Sequence, residues 1–367
     1  MLVNNRYYRT IWLNDDEKSL SIIDQRWLPH NFVIEKIITF NDLVVAIKDM
    51  HLRGAGLIGA AAGYGMYLAV LESAEHKKFD NYLNHLSTTL FNTRPTAVNL
   101  SYAIERQLNA IKKCSTIQEK INVAKQTAID IADEDAENCK KIGQNGLKII
   151  EKISENKKGK TINILTHCNA GWLAFVDYGT ALAPVYAAFE KGIDVHVWVD
   201  ETRPRNQGAS LTVWELEMMN IPYTLIPDNT GGHLMQHGFV DMVIVGCDRA
   251  TASGDVANKI GTYLKAVAAK DNNIPFYVAL PSSSFDFKIN DGIKEIPIEQ
   301  RSSDEVKYIN GLTDNLKYEK ILITHPNAKT CNFGFDVTPA RLITSLITEK
   351  GILKANKEDI YKLKLTI

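Results

Sequence analysis

From Thr161 onward short apolar runs recur at intervals: "TINILTHC", "DVHVWVDE", "PYTLIPD", "VDMVIVGCD", "PFYVALP" and "KILITHP". Helix-like stretches separate most of them, namely "GTALAPVYAAFEKG", "GASLTVWELEMM" and "VANKIGTYLKAVAAKD". A strand that is apolar throughout must be covered on both faces, and strands that alternate with helices supply that cover. The pattern predicts a parallel, doubly wound sheet, in which ligands bind beyond the carboxyl ends of the strands. Polar clusters follow four of the runs: Thr166-His167-Cys168-Asn169, Asp200-Glu201-Thr202-Arg203, Asp228-Asn229-Thr230 and Cys247-Asp248-Arg249. Under this fold they converge on one rim.

The first 40 residues read differently. "TIWLND", "LSIIDQ" and "FVIEKI" resemble strands of a small antiparallel sheet. From Asn41 to Ile153 the apolar residues fall at helix spacing, with Asn41, Thr96 and Ser115 as candidate N-caps. The turn-rich "SENKKGK" (154–160) marks a boundary. The expected organisation is α/β: residues 1–153 form a small sheet plus helical domain, and residues 154–367 a Rossmann-like domain.

Composition narrows the function classes. The 367 residues carry a net charge of −1, and 45% are hydrophobic, enough for a packed core. Near-neutral charge gives no overall attraction to nucleic acid or anionic lipid. Five scattered cysteines without a C-x-x-C pair fit a reducing compartment. No secretory signal core and no run of about 20 apolar residues is evident. A cytoplasmic protein without membrane or nucleic-acid partners is expected. There is no H-E-x-x-H and no G-x-x-x-x-G-K-[ST], so neither a metal centre nor a nucleotide-hydrolase loop is expected.

Cys168 ends a strand just before an Asn-Ala-Gly turn. It reads either as a small buried side chain or as a reactive thiol near backbone N–H groups. Asp248 ends another apolar run. It is either an N-cap or Arg249 partner, or a general acid kept protonated by an apolar pocket. Asp255 looks like an N-cap. Gly54-x-Gly56-x-x-Gly59 formally matches a dinucleotide fingerprint, but the residues before it have helical spacing. Its glycines, with Arg53, and Arg94 further on, suit a phosphate instead. Lys259 and Gln207 are placed at helix starts, where a lysine opposes the helix dipole unless an anion is bound.

Seven motifs in order, "RGAGLIG", "TRPTAVNL", "ILTHCNAG", "VDETRPRNQGASLTVWEL", "DRATASGDVANKIGTY", "IPIEQRSSDEV" and "FDVTPARLIT", resemble the aldose–ketose isomerase family that includes methylthioribose-1-phosphate isomerases. Ribose-1,5-bisphosphate isomerases and the regulatory subunits of initiation factor 2B belong to the same family. The resemblance implies a homodimer that acts on a sugar 1-phosphate without metal or organic cofactor. It places the catalytic pair on Cys168 and Asp248. It places substrate contacts on Arg53, Gly54, Ala55, Arg94, Gln207, Asn258 and Lys259. The expected reaction converts 5-methylthioribose 1-phosphate to its ribulose isomer. The alternatives are 5-deoxyribose 1-phosphate isomerisation, or a regulatory protein that only senses a sugar phosphate or nucleotide. Gly56-Leu57, Trp172 and Arg205-Asn206 depart from the commonest family residues, and the last three are expected to reshape the end of the pocket that receives the 5-substituent.

Overall fold

The structure, a computed structural model, describes residues 1–94 and 97–366. Its largest sheet has seven strands: β1 (Ile162–Thr166), β2 (Val195–Asp200), β3 (Tyr223–Ile226), β4 (Met242–Val245), β5 (Phe276–Ala279), β6 (Ser345–Thr348) and β7 (Gly351–Leu353). The order is β7-β6-β5-β4-β1-β2-β3, parallel except for β7 at one edge. The chain winds outward from β1 through β3, then returns to β4 on the other side. A crevice therefore opens between the ends of β1 and β4, where doubly wound sheets hold their ligands. The central strands are buried on both faces, as β4 illustrates with all four residues covered.

Two apolar patterns resolve otherwise than expected. "KILITHP" supplies no strand of this sheet: Tyr318–Leu322 pairs with Tyr308–Leu312 in a separate antiparallel hairpin, with all five residues of the later strand exposed. The sixth strand comes instead from "SLIT". "VANK" is not helical either. Val256–Lys259 is a strand between Arg249–Thr251 and Phe335–Thr338 in a second, four-stranded sheet. The helix begins only at Thr262, after Gly261 in a left-handed conformation.

The N-terminal half has the expected three-stranded antiparallel sheet, Ile11–Leu13, Leu20–Ile23 and Ile34–Ile37. Five helices follow: α1 (Phe40–Lys48), α2 (Ala55–Ala74), α3 (Phe79–Phe91), α4 (Val98–Ile111) and α5 (Ile117–Asn156). Thr39 and Thr116, not Asn41 and Ser115, cap α1 and α5. Each closes a capping box with an acid three residues on, Asp42 or Glu119. Thr96 lies outside the described residues. Helix α2 is long and apolar enough to cross a membrane by composition, which the residue-run count missed, but it lies inside the protein, with 83% of its apolar 18-residue window buried. It is the axis on which α3, α4 and α5 pack. Helix α5 spans 40 residues and serves both halves. Ala124 to Ala136 join the core around α2, whereas Ile142 and Ile150 join the core under the large sheet.

Candidate active site

The N-terminus of α2 is built for close approach. Gly54 adopts φ 95° and ψ 147°, a region open almost only to glycine, and a Cβ there would lie 2.5 Å from Ala174. No side chain caps the helix, so its first backbone N–H groups are available to an anion. No strand precedes it, which removes the dinucleotide reading of the glycines.

At the end of β1 the chain turns sharply, with Cys168 at φ 67°. The Cys168 N–H donates to Thr202 Oγ1 at 2.8 Å, and its S–H to Gln207 Oε1 at 2.8 Å. His167 turns away from the thiol. Its ring nitrogens lie 2.8 Å from Asp200 Oδ2 and 2.8 Å from the Ile260 carbonyl oxygen. Thr202 and Arg203 in turn donate their N–H groups to Asp228. The clusters that follow β1, β2 and β3 therefore interlock as one rim. Asp248, at the end of β4, leads into strand Arg249–Thr251, so it caps no helix, and Arg249 reaches Asp286 at 3.7 Å. Asp255 is not an N-cap. Its carboxylate accepts N–H groups from Gly292 and Ala340 and holds two loops together.

Cys168 and Asp248 face one narrow cavity of about 60 Å³. All the other sequence-derived site residues line it too: Arg53, Gly54, Ala55, Arg94, Gln207, Asn258 and Lys259. Gln207 lies just before a π-helical turn, Gly208–Thr212, as placed. Lys259 instead ends a strand, so the helix-dipole argument for it does not apply. Its Nζ donates to the Gly334 carbonyl at 2.9 Å and sits 4.8 Å over the Phe335 ring. Arg205 and Arg301 complete the wall. Sequence reasoning expected Arg205 only to reshape the end of the pocket that receives the 5-substituent and gave Arg301 no site role, although it lies within the quoted "IPIEQRSSDEV". Five cations line the wall with Asp248. Arg94, Arg205 and Arg301 are also paired with Glu299 or Glu305 behind it, while Arg53 and Lys259 contact carbonyl and amide oxygens, an arrangement that can receive an anion.

Burial governs the titrating groups. It raises the Asp248 carboxyl above the ordinary range, against the pull of Lys259, Arg94 and Arg53. It raises the Cys168 thiol as well, against Arg53 and Lys259. Burial thus favours the un-ionised form of each, and the Cys168 thiol donates into Gln207. Burial also lowers Arg53 and Lys259.

Two chambers flank this waist. Beyond Asp248 a space of about 50 Å³ is walled by Ile58, Val98, Ile296, Ile298 and Phe335, and shares Ala55, Arg94 and Asp248 with the waist. On the other side a wetter chamber of about 510 Å³ shares Met50, Arg53, Arg205 and Gln207. Asn206 lines this outer chamber. Trp172 reaches none of the three. It is fully buried and stacks on Trp214 at 6.1 Å, so it does not reshape the pocket.

These loops have counterparts in known proteins. A methylthioribose-1-phosphate isomerase of Desulfatibacillum aliphaticivorans is 54% identical over 364 residues, 99% of this chain and 98% of its own. The crystal structure of 5-methylthioribose 1-phosphate isomerase from Pyrococcus horikoshii superimposes with a TM-score of 0.83 at 38% identity, covering 99% of this chain and 97% of that one. That of the translation initiation factor eIF-2B subunit delta from A. fulgidus gives 0.79, also at 38% identity, covering 97% and 100%. Residues 51–355, which hold every residue of the cavity wall except Met50, match the initiation factor 2 subunit family, and the chain is a member of it.

Proposed function

We propose that this protein isomerises 5-methylthioribose 1-phosphate to 5-methylthioribulose 1-phosphate. One observation carries the mechanism: Asp248 and Cys168, both favoured un-ionised by burial, share a single narrow waist between an outer chamber lined by Arg53 and Arg205 and a chamber walled by Ile58, Val98, Ile296 and Ile298. The isomerases related to this chain support the substrate.

A sugar phosphorylated on its anomeric oxygen cannot open its ring as a free hemiacetal does. Opening needs an acid at the ring oxygen. That oxygen lies between C1, which carries the phosphate, and C4, which carries the 5-substituent. Asp248 lines both the waist and the apolar chamber, Cys168 only the waist, and Arg53 both the waist and the outer chamber. This order favours one orientation. The phosphate lies toward Arg53 and the α2 N-terminus, the ring oxygen at Asp248, and the methylthio group among Ile58, Val98 and Ile298. Asp248 protonates the ring oxygen as the C1–O bond breaks. A hydrogen then moves from C2 to C1. A neutral thiol is a weak base toward a C–H bond, so the hydrogen passes as hydride, while the proton of the C2 hydroxyl leaves by way of the Cys168 thiol, held by Gln207, to the Asp248 carboxylate that gave its own proton to the ring oxygen. The waist is narrow, and burial there favours the un-ionised form of Asp248 for the first step.

The same apolar chamber accepts a bare 5-methyl group less well. A missing methylthio group is worth about 1–3 kcal/mol, so 5-deoxyribose 1-phosphate should turn over roughly 10–200-fold less efficiently. We assign a homodimer too. Leu264 and Val267 project from the helix Thr262–Asp271, and Phe239 follows the helix packed beside it; all three are exposed and apolar. The five unpaired cysteines favour a cytoplasmic location.

The test is ketose formation from both sugar phosphates in D₂O with a chelator present. The expected result is faster turnover of the methylthio sugar with no deuterium at C1 of the product. No ketose from either sugar refutes the function, and deuterium at C1 refutes the hydride route.

A further inference from the structure

The motif "LTVWEL" places a carboxylate, Glu215, in the interior with no contact to the cavity. Glu215 is fully buried. Its oxygens accept from Asn169 Nδ2 at 2.8 Å, the Trp172 N–H at 2.8 Å, the Leu173 N–H at 2.9 Å and the Tyr186 hydroxyl. Every one of these neighbours is a donor, so the site is matched to an ionised carboxylate. The turn above it is cut to fit, since a Cβ on Gly171 would lie 2.0 Å from Glu215 Oε2.

The far side of Asn169 faces the catalytic cavity. Its side-chain oxygen and its carbonyl oxygen both accept from the Arg53 guanidinium, at 2.7–3.3 Å over four contacts. A buried anion, a bridging amide and a buried cation thus stand in line. The amide is polarised from both ends, which strengthens each hydrogen bond. It also fixes the guanidinium plane, on which bidentate grip of a phosphate depends. The segment that carries Glu215 begins just after Gln207, so one element holds partners for two successive residues, Cys168 and Asn169.

We propose that Glu215 is a positioning residue that sets Arg53 for the substrate phosphoryl group through Asn169. This rests on the isomerase reading for its substrate, but the relay itself predicts anion affinity independently. A Glu215→Gln side chain would turn an amide donor toward neighbours that are all donors, releasing Asn169 and with it Arg53. A misplacement of about 1 Å costs on the order of 100-fold in rate.

The experiment is a double-mutant cycle on the full chain with E215Q, N169A and the pair. It is read by kcat/KM and by calorimetric titration with inorganic phosphate, with E215D as the conservative variant. Each single change should lower kcat/KM about 100-fold and weaken phosphate binding in parallel. The pair should be no worse than either alone, and E215D should recover part of both losses. If E215Q fails to fold, N169A and E215D carry the comparison. A folded E215Q with wild-type phosphate affinity and turnover but a lower Tm reduces Glu215 to a structural role and overturns the proposal. So do losses that multiply in full, or wild-type protein that binds no phosphate. Wild-type protein that binds phosphate but forms no ketose instead refutes the substrate reading and leaves the relay standing.

Discussion

Asp135, on α5, should make the stability of this protein fall as pH rises toward neutrality. Its carboxyl is buried beside Gly56 and accepts the Val176 N–H at 2.8 Å. Burial raises its pKa from 3.8 to about 7, against that hydrogen bond and the charge of Arg9. A group whose folded pKa lies above its unfolded value contributes stability that is complete below the unfolded pKa and lost as pH rises through the folded one. The loss therefore runs from about pH 4 to about pH 7. At about 1.4 kcal/mol per unit it totals roughly 4 kcal/mol, of which some 2 kcal/mol falls between pH 5.5 and 7. Asp135→Asn keeps an oxygen for the Val176 N–H and removes the titration. Urea unfolding of both proteins at pH 5.5, 7 and 8.5 isolates this group, because other titrating groups cancel in the difference. The variant should gain about 2 kcal/mol on wild type between pH 5.5 and 8.5. Parallel stability curves would show that Asp135 is hydrated or paired in the folded state, and the argument would fail.

Two further changes address the site itself. Asp248→Asn should lower kcat by about 10² to 10⁴, the usual contribution of a general acid; wild-type activity should decline as pH rises through the raised Asp248 pKa, and the variant should lack that limb. Gly54→Ala should cost at least about 1–3 kcal/mol from its backbone conformation alone, and because the added methyl overlaps Ala174 it should also raise KM, seen in thermal melts and steady-state kinetics.

The chemistry was legible where residue type and chain position coincide. Cys168 and Asp248 each end an apolar run, and strand ends at the reversal between β1 and β4 must meet. The resemblance added Ala55 and Asn258 by position, without explaining them, whereas Arg53, Arg94 and Lys259 were already legible as holders of an anion. Periodicity misled where a short strand carries helix-like spacing. "VANK" pairs with "FDVT" from almost 80 residues later, a contact that no local pattern can announce. "KILITHP" failed in the opposite way. It has strand composition and is a strand, but it pairs only with its own hairpin partner because nothing covers its faces. The cap errors at Asn41 and Ser115 are shifts of two and one residues, decided by which hydroxyl has an acid three residues on.

The roles of Arg301 and Glu215 were illegible for a deeper reason: each depends on what the other half of the chain supplies. Arg301 donates to Met50 Sδ and pairs with Glu305, which also binds Arg205 at 2.9 Å. These contacts link the loop after β2, the segment before Phe335 and the approach to α2. Glu215 lies in the half that holds Cys168, yet the cation it serves, Arg53, belongs to the other half. The carboxylate would be a costly buried charge if Arg53 were withdrawn, and Arg53 would be equally costly without Asn169. The two halves are therefore electrostatically incomplete apart, although each has its own apolar core. The long helix α5 contributes to both cores and holds their separation fixed, which a cavity only about 60 Å³ at its waist requires.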